Sequence, residues 1–219
     1  MASASGKFIT FEGSEGCGKS TQIRLMQGAL RERGRQVLVV REPGGSAVGE
    51  QIRHILKYSA DSRGMTPEAE LLLFAASRAQ LTREVIRPAL DAGMIVISDR
   101  FRDSTTVYQG VARRIPGAFV EEVNAFAVAG CEPEVTFLLD MDAAEAMQRA
   151  RLRPRRADRE DRMEQEPIAF YQAVRDGYLA LARANPKRIF VLNAAASESV
   201  IAAQAWAILE ESFHGIPRD

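Results

Sequence analysis

Cysteine and histidine are nearly absent from this chain, with two of each in 219 residues. Cys17 and Cys131 lie far apart in sequence, which argues against a disulfide scaffold and for a reducing cytosol. His54 and His214 stand alone, so no metal-ligand cluster can be drawn, and each reads as a surface or packing histidine. Neither charge is in excess: 29 basic residues balance 29 acidic ones. No global field therefore calls for nucleic acid or a membrane surface, although balance says nothing about local clusters. No apolar run reaches the length of a membrane span. The opening residues MASASGK lack the apolar stretch of a signal peptide. A cytoplasmic protein with no nucleic-acid or membrane partner is the expectation. The 46% apolar content permits a full core, and the length fits one large domain or a domain with an insert.

Glycine is unevenly spent. Three of the sixteen, Gly13, Gly16 and Gly18, fall within six residues just before a Lys-Ser-Thr triplet. The run from Gly13 reads G-S-E-G-C-G-K-S and fits G-x-x-x-x-G-K-[ST] at Gly13, Gly18, Lys19 and Ser20. A glycine-rich turn can aim several backbone N–H groups into one concavity, because no Cβ blocks the approach. Such a hollow suits a polyphosphate, with Lys19 reaching the outer phosphates and the Ser20 hydroxyl offered to Mg²⁺. Residues 7–11 (KFITF) alternate as a strand, and Ile23, Leu25, Met26 and Leu30 have helical spacing. Strand, glycine loop and helix put an anion at a helix N-terminus. Cys17, inside the loop, reads as a small filler.

Further strands are expected over 36–40, 94–98, 135–139 and 188–192, the 36–40 stretch (QVLVV) apolar enough to be buried on both faces. Helical patterns cover 48–58, 117–129, 143–151, 168–184 and 197–213. Another starts at an N-cap Thr66 with Pro67, Glu68 and Glu70 behind it and runs toward Leu90, with Pro88 near its end. Short apolar strands alternating with helices indicate an α/β fold, a parallel sheet with helices on both faces. Ligands of such sheets collect at the carboxyl ends of the strands. Those tips carry the phosphate loop, Arg41-Glu42-Pro43-Gly44-Gly45, Asp99-Arg100-Phe101, Asp140, and the stretch from Asn193 to Ala196.

Arg41 and Arg100 can each grip a phosphate through two parallel N–H bonds, which suggests a second phosphorylated substrate facing the loop. The bland alternative pairs them with their neighbours Glu42 and Asp99. Asp99 can also hold Mg²⁺ through its water shell. The run RARLRPRRADREDR, residues 149–162, contains seven arginines. Pro154 argues against one continuous helix there, and an arginine-rich flap between two helices fits better than a solvated helix face. A flap could meet transition-state charge and exclude water. A nucleic-acid patch is disfavoured by the interleaved acids and the lack of nearby aromatics.

Taken in order, G-S-E-G-C-G-K-S-T, R-E-P-G-G, L-L-L-F-A-A-S-R-A-Q, D-R-F, S-T-T-V-Y-Q-G and D-R-M-E resemble bacterial thymidylate kinase. The resemblance spans residues 8–192. It implies a P-loop NTPase fold, one nucleoside-monophosphate-kinase-like domain over 1–219, a five-stranded parallel sheet, a lid insert at about 150–163, and a homodimer. It implies transfer of the γ-phosphate of ATP to dTMP, giving dTDP and ADP in dTTP biosynthesis, with Mg²⁺. On the matched positions, Gly13, Ser14, Glu15, Gly16, Cys17, Gly18, Lys19, Ser20 and Thr21 would bind ATP, and Ser20 and Asp99 the metal. Glu15 would face the sugar of dTMP, and Arg41 and Arg100 would hold its phosphate, beside Pro43. Phe74 would stack on thymine, Arg78 would hydrogen-bond it, and Thr105 and Gln109 would read or position it. Tyr108 would crowd the sugar where a ribonucleotide carries its 2′-hydroxyl. From spacing alone, Phe74 and Tyr108 read as core residues. The phosphate loop has no arginine, so the resemblance is to the type whose catalytic arginine sits in the lid. Lys19, Glu15, Asp99, Arg153 and Arg159 are the catalytic candidates, and Arg149 would lie against adenine near residues 193–196. Phe101 departs from the tyrosine or histidine common after the arginine. Another small-molecule kinase of this fold, or a nucleotide-binding switch, are the alternatives.

Overall fold

The computed structural model describes residues 6–152 and 161–213. Among these, five strands form one parallel sheet: β1 (Lys7–Glu12), β2 (Val37–Arg41), β3 (Ile95–Asp99), β4 (Val135–Asp140) and β5 (Ile189–Asn193). Their order is β2-β3-β1-β4-β5. The chain therefore fills one side of β1 before crossing to the other, which opens a crevice at the tip of β1. Register aligns the tips. Asp99 sits opposite both Phe11 and Arg41, and Asp140 opposite Asn193.

The central strands are apolar on both faces because both are covered. Ile9, Phe11 and Phe137 pack with Ile23, Leu30, Ile201 and Leu209 of α1 (Lys19–Glu32) and α9 (Glu198–Ser212). Phe8 and Val96 face the other way, onto Leu81, Ile86 and Phe101. Phe101, in the position that departs from the family pattern, is buried with its ring 4.8 Å from that of Phe8. It is a core residue. β2, expected to be buried on both faces, is an edge strand, and its Val39 is exposed.

The helices begin where their caps allow. α2 (Ala47–Lys57) is capped by Ser46, whose hydroxyl accepts from the Gly49 N–H. α3 (Pro67–Leu81) is capped by Thr66, which accepts from the Ala69 N–H. The helix then widens to a π-helical turn over Thr82–Ile86 and ends as α4 (Arg87–Asp91). Pro88 has no N–H and its ring crowds the carbonyl four residues back, so the wider turn lies where the regular ladder fails.

Residues 102–112 lie outside the helical patterns named above. They form a short α5 (Arg102–Thr105) that continues as π-helical Thr106–Ala112. The remaining helices, α6 (Gly117–Val128), α7 (Ala143–Arg151) and α8 (Ile168–Ala184), match the periodicity closely. Single turns of 3-10 helix occupy Ala60–Gly64 and Arg162–Gln165.

Candidate active site

The loop between β1 and α1 has the backbone its sequence requires. Gly16 has φ +82°, and a Cβ there would lie 2.1 Å from the Ala146 carbonyl oxygen. Gly18, at φ +92°, caps α1 with no side-chain bond and no acid in the first turn. The positive end of the helix is thus left for an anion. Lys19 Nζ donates to the Gly13 and Ser14 carbonyls at 3.1 and 2.8 Å. Cys17 is buried and its thiol points to the Ser14 carbonyl at 2.9 Å, as a filler should.

Two hollows open beside this loop. The first, about 440 Å³, is lined by Lys19, Ser20, Arg41, Arg53, Lys57 and Arg100, with Glu15, Glu42 and Asp99. The second, about 460 Å³, has apolar walls from Pro43, Phe74, Tyr108, Met163 and Tyr171, with Ser104, Thr105 and Gln109 as polar points. Glu15, Glu42, Lys57 and Arg100 line both. The pair suits a flat, largely apolar body with an anionic tail directed at the phosphate loop. Phe74 is half-buried and lines this second hollow, so it is not a core aromatic. Tyr108 does both jobs: it is buried against Phe170 and Tyr178, at ring distances of 6.0 and 6.2 Å, and one side faces the hollow.

The alternative neighbour pairings, Arg41 with Glu42 and Arg100 with Asp99, do not form among the described residues. Arg41 bonds Glu50 at 2.9 Å and stays half-exposed. Arg100 bonds Glu15 at 3.0 Å. Glu42 bonds Arg78 at 2.6 Å instead, and both are buried. Arg41 ends β2 and Glu42 follows it in the loop, and the two side chains reach different partners although both line the cationic hollow.

Arg78, expected to hydrogen-bond the base, does not line the apolar hollow. Its Nε and Nη2 donate to Glu42, its Nη1 to Thr105 and Asn124, and its Nη2 also to the Phe101 carbonyl. A guanidinium has five N–H donors, and here each has a protein acceptor. Arg78 stands behind the hollow and braces Glu42 and Thr105, which line it. Gln109 is braced too, its amide nitrogen donating to Glu70 at 2.8 Å.

Burial alone would raise the Glu15 carboxyl, but Arg100, Lys19 and Lys57 hold it well below the usual carboxylate range. Burial raises the Glu42 carboxyl even against Arg78. Burial also raises the Tyr108 phenol, which remains neutral.

Arg149 reaches the Ala194 carbonyl at 3.2 Å, which puts it beside residues 193–196. Arg162 is tied down by Glu70 at 2.5 Å and by the Leu56 carbonyl at 3.2 Å. Arg153 and Arg159 lie outside the described residues. Sequence reasoning missed Arg53, Lys57, Met163 and Tyr171. Arg53 and Lys57 were the more accessible pair, since helical spacing carries them along one face of α2 directly after the R-E-P-G-G tip.

A phosphate loop at the tip of a central parallel strand, facing a cationic hollow and an apolar one, defines a P-loop enzyme that transfers phosphoryl groups to small nucleotides. The family model described as thymidylate kinase matches residues 11–205. A thymidylate kinase of Trichlorobacter lovleyi is 46% identical over 197 residues, covering 89% of this chain and 92% of the relative. One from Geobacter sulfurreducens is 43% identical, covering 97% of this chain and 99% of the relative. The crystal structure of thymidylate kinase from Ehrlichia chaffeensis superposes with a TM-score of 0.74 at 32% identity, covering 93% of this chain and 98% of that one. The chain belongs to the thymidylate kinase family, enzymes that phosphorylate dTMP.

Proposed function

We propose that this chain transfers the γ-phosphate of ATP to dTMP, giving dTDP and ADP, with ATP on residues 13–21 and dTMP in the two hollows. The observation that carries this assignment is the cationic hollow. Lys19, Arg41, Arg53, Lys57 and Arg100 meet between the phosphate loop and the apolar hollow. Five cations against three carboxylates favour an acceptor that already bears a phosphate, which speaks against a nucleoside kinase. A nucleotide switch would have no use for the apolar hollow beyond them.

Within this reading, Phe74 and Pro43 flank the base. Thr105 and Gln109 meet its polar edge. Arg78 occupies a lone pair of the Thr105 hydroxyl, which leaves that O–H to donate. Tyr108 lies against the sugar, and Arg100, Arg41 and Arg53 take the acceptor phosphate. Glu15 remains ionised between Arg100 and Lys19, facing the sugar. Lys19 leaves the loop carbonyls for the ATP phosphates, and Arg149 lies along the adenine. Ser20 and Asp99 both line the cationic hollow and offer hard oxygen donors, which suits Mg²⁺ completed by water and phosphate. When bound, Mg²⁺ would neutralise charge on the transferring phosphates.

The loop from Gly13 to Ser20 contains no arginine. The arginine that meets transition-state charge then comes from the lid at about 150–163, with Arg153 and Arg159 as the candidates. Arg162 bonds Glu70 and the Leu56 carbonyl, which favours Arg153 and Arg159 over it. We also place the protein in the cytoplasm as a homodimer. Among the described residues no helix is long and apolar enough to cross a membrane. The dimer is supported by exposed Leu72, Phe119 and Phe126 on the adjacent helices α3 and α6.

A coupled assay offering dTMP, dUMP, dCMP, dGMP and AMP with ATP and Mg²⁺ tests the assignment. The expected result is turnover with dTMP well above the others. Preference for any other acceptor would overturn it.

A further inference from the structure

Arg100 is a non-glycine residue with φ +71°. Such backbone is uncommon outside glycine and is strained, so it persists only where the surroundings over-determine it. The surroundings here do so. The Arg100 N–H donates to the Phe11 carbonyl at 2.9 Å, and the Arg100 carbonyl accepts from Ser98 Oγ at 2.6 Å. The next N–H, that of Phe101, donates to Glu12 Oε1 at 2.8 Å.

Glu12 is the unexpected member of this group. It ends β1, is wholly buried, and lines neither hollow. Its other oxygen, Oε2, accepts from the Ser104 hydroxyl at 2.6 Å and the Tyr178 hydroxyl at 2.7 Å. Those same hydroxyls face Arg100, whose Nη1 donates to Ser104 Oγ at 3.2 Å and to Tyr178 OH at 3.3 Å. Glu12 thus holds Arg100 at both ends, by the backbone of the turn and by the guanidinium, through intermediates in both cases.

The polarity of this relay follows from counting protons. A hydroxyl has one proton and two lone pairs. The two hydroxyls bond Glu12 Oε2 and also lie 2.8 Å from each other, and each keeps a lone pair for the guanidinium, which can only donate. An acceptor-only group at position 12 is what sets that direction. A glutamine there would present its NH₂ to the two hydroxyls and turn their protons toward Arg100.

We propose that Glu12 is the positioning residue that aims Arg100 at the acceptor phosphate, working through the hydroxyls of Ser104 and Tyr178. The inference rests on the reading that Arg100 takes the phosphate of dTMP. Four elements meet in the device: β1 supplies Glu12, the tip of β3 supplies Arg100, α5 supplies Ser104 and α8 supplies Tyr178.

The test is a set of steady-state measurements on Glu12→Gln, Tyr178→Phe, Arg100→Met and the Glu12→Gln/Arg100→Met double variant. KM is measured for dTMP and for ATP. The inhibition constant of thymidine, which fills the same site without a phosphate, is measured alongside. Glu12→Gln should raise KM for dTMP on the order of tenfold, the scale of one hydrogen bond to a charged group. Tyr178→Phe should raise it less. KM for ATP and the thymidine constant should stay within about twofold, which general damage to the site would not allow. In the Arg100→Met background, Glu12→Gln should add nothing, because the group it aims is gone.

Folded Glu12→Gln and Tyr178→Phe proteins with an unchanged KM for dTMP would overturn the proposal. So would a parallel loss of thymidine binding, or full additivity with Arg100→Met. If Glu12→Gln does not fold, Tyr178→Phe decides by the same criteria, since it keeps the ring and removes only the hydroxyl. An Arg100→Met protein with normal KM for dTMP would overturn the underlying assignment of Arg100 instead, whatever the other variants do.

Discussion

Glu15 is a single carboxylate among three cations, Arg100, Lys19 and Lys57, and their combined pull outweighs the cost of burying it. The consequence for stability has a definite sign. A carboxyl depressed below its ordinary value of 4.5 in the folded protein contributes stability that is present above that value. The contribution is lost as pH falls through the depressed folded value. Thermal melts of the ligand-free protein should therefore show stability declining on acidification below about pH 4.5. Glu15→Gln should flatten that acid limb, and an unchanged limb would show that the three cations do not hold the carboxylate.

Lys19 and Arg78 make a contrast at the same scale. Lys19 rests on two loop carbonyls it can leave, whereas Arg78 has an acceptor on every donor. Lys19→Ala should nearly abolish turnover while the melting temperature stays close to wild type; turnover within tenfold would refute the loop assignment. Arg78→Ala should instead destabilise the fold by about 3–5 kcal/mol, because it breaks a buried ion pair and strips Glu42, Thr105 and Asn124 of their shared donor. Chemical denaturation of the two variants separates a mobile ligand-binding cation from a structural one.

At the scale of elements, the helical run from Arg102 to Ala112 does the most for the site. It carries Ser104, Thr105, Tyr108 and Gln109 to one hollow. A π-helical turn takes more residues to come round than an α-turn, so ordinary spacing does not report which of them share a face. That is why the segment was not legible as a helix, although its motif was. The Tyr108 ring is packed between Phe170 and Tyr178, while its hydroxyl is buried with no hydrogen-bond partner among the described residues. The ring, not the hydroxyl, is then the group that would crowd a 2′-hydroxyl. Tyr108→Phe should keep the discrimination between dTMP and its ribose analogue, measured as kcat/KM, and Tyr108→Ala should lose much of it. An equal loss in both variants would assign the discrimination to the hydroxyl. The alanine variant also costs about 3–5 kcal/mol through its cavity, so its assays belong well below its melting temperature.

The whole molecule presents one further consequence. Phe126 on α6 is 78% exposed, which is much apolar surface for one side chain to leave in water. Arg83 lies over its ring at 5.7 Å, and Leu72 and Phe119 are exposed on the same two helices. If this face joins two copies, Phe126→Glu should shift the protein from dimer to monomer in analytical ultracentrifugation. A dimer of unchanged stability would move the interface elsewhere.

Sequence by itself determined most of the elements and the chemistry at the strand tips. Periodicity, caps and glycine positions are local properties, and the strands and the helices over 143–151 and 168–184 follow from them almost residue for residue. The phosphate loop was legible for the same reason: its geometry is set by three positive-φ glycines within six residues, Gly13, Gly16 and Gly18. Pairings across the sheet were not legible. Arg41 and Glu42 are neighbours in the chain and bond different partners, Glu50 and Arg78. Arg100 finds Glu15 across 85 positions, and Glu12 finds Tyr178 across 166. A long charged side chain bonds whatever the strand order and helix packing bring within about 3 Å. Only the tertiary structure decides that, because alternation along a strand says which face a residue takes and nothing of what waits there.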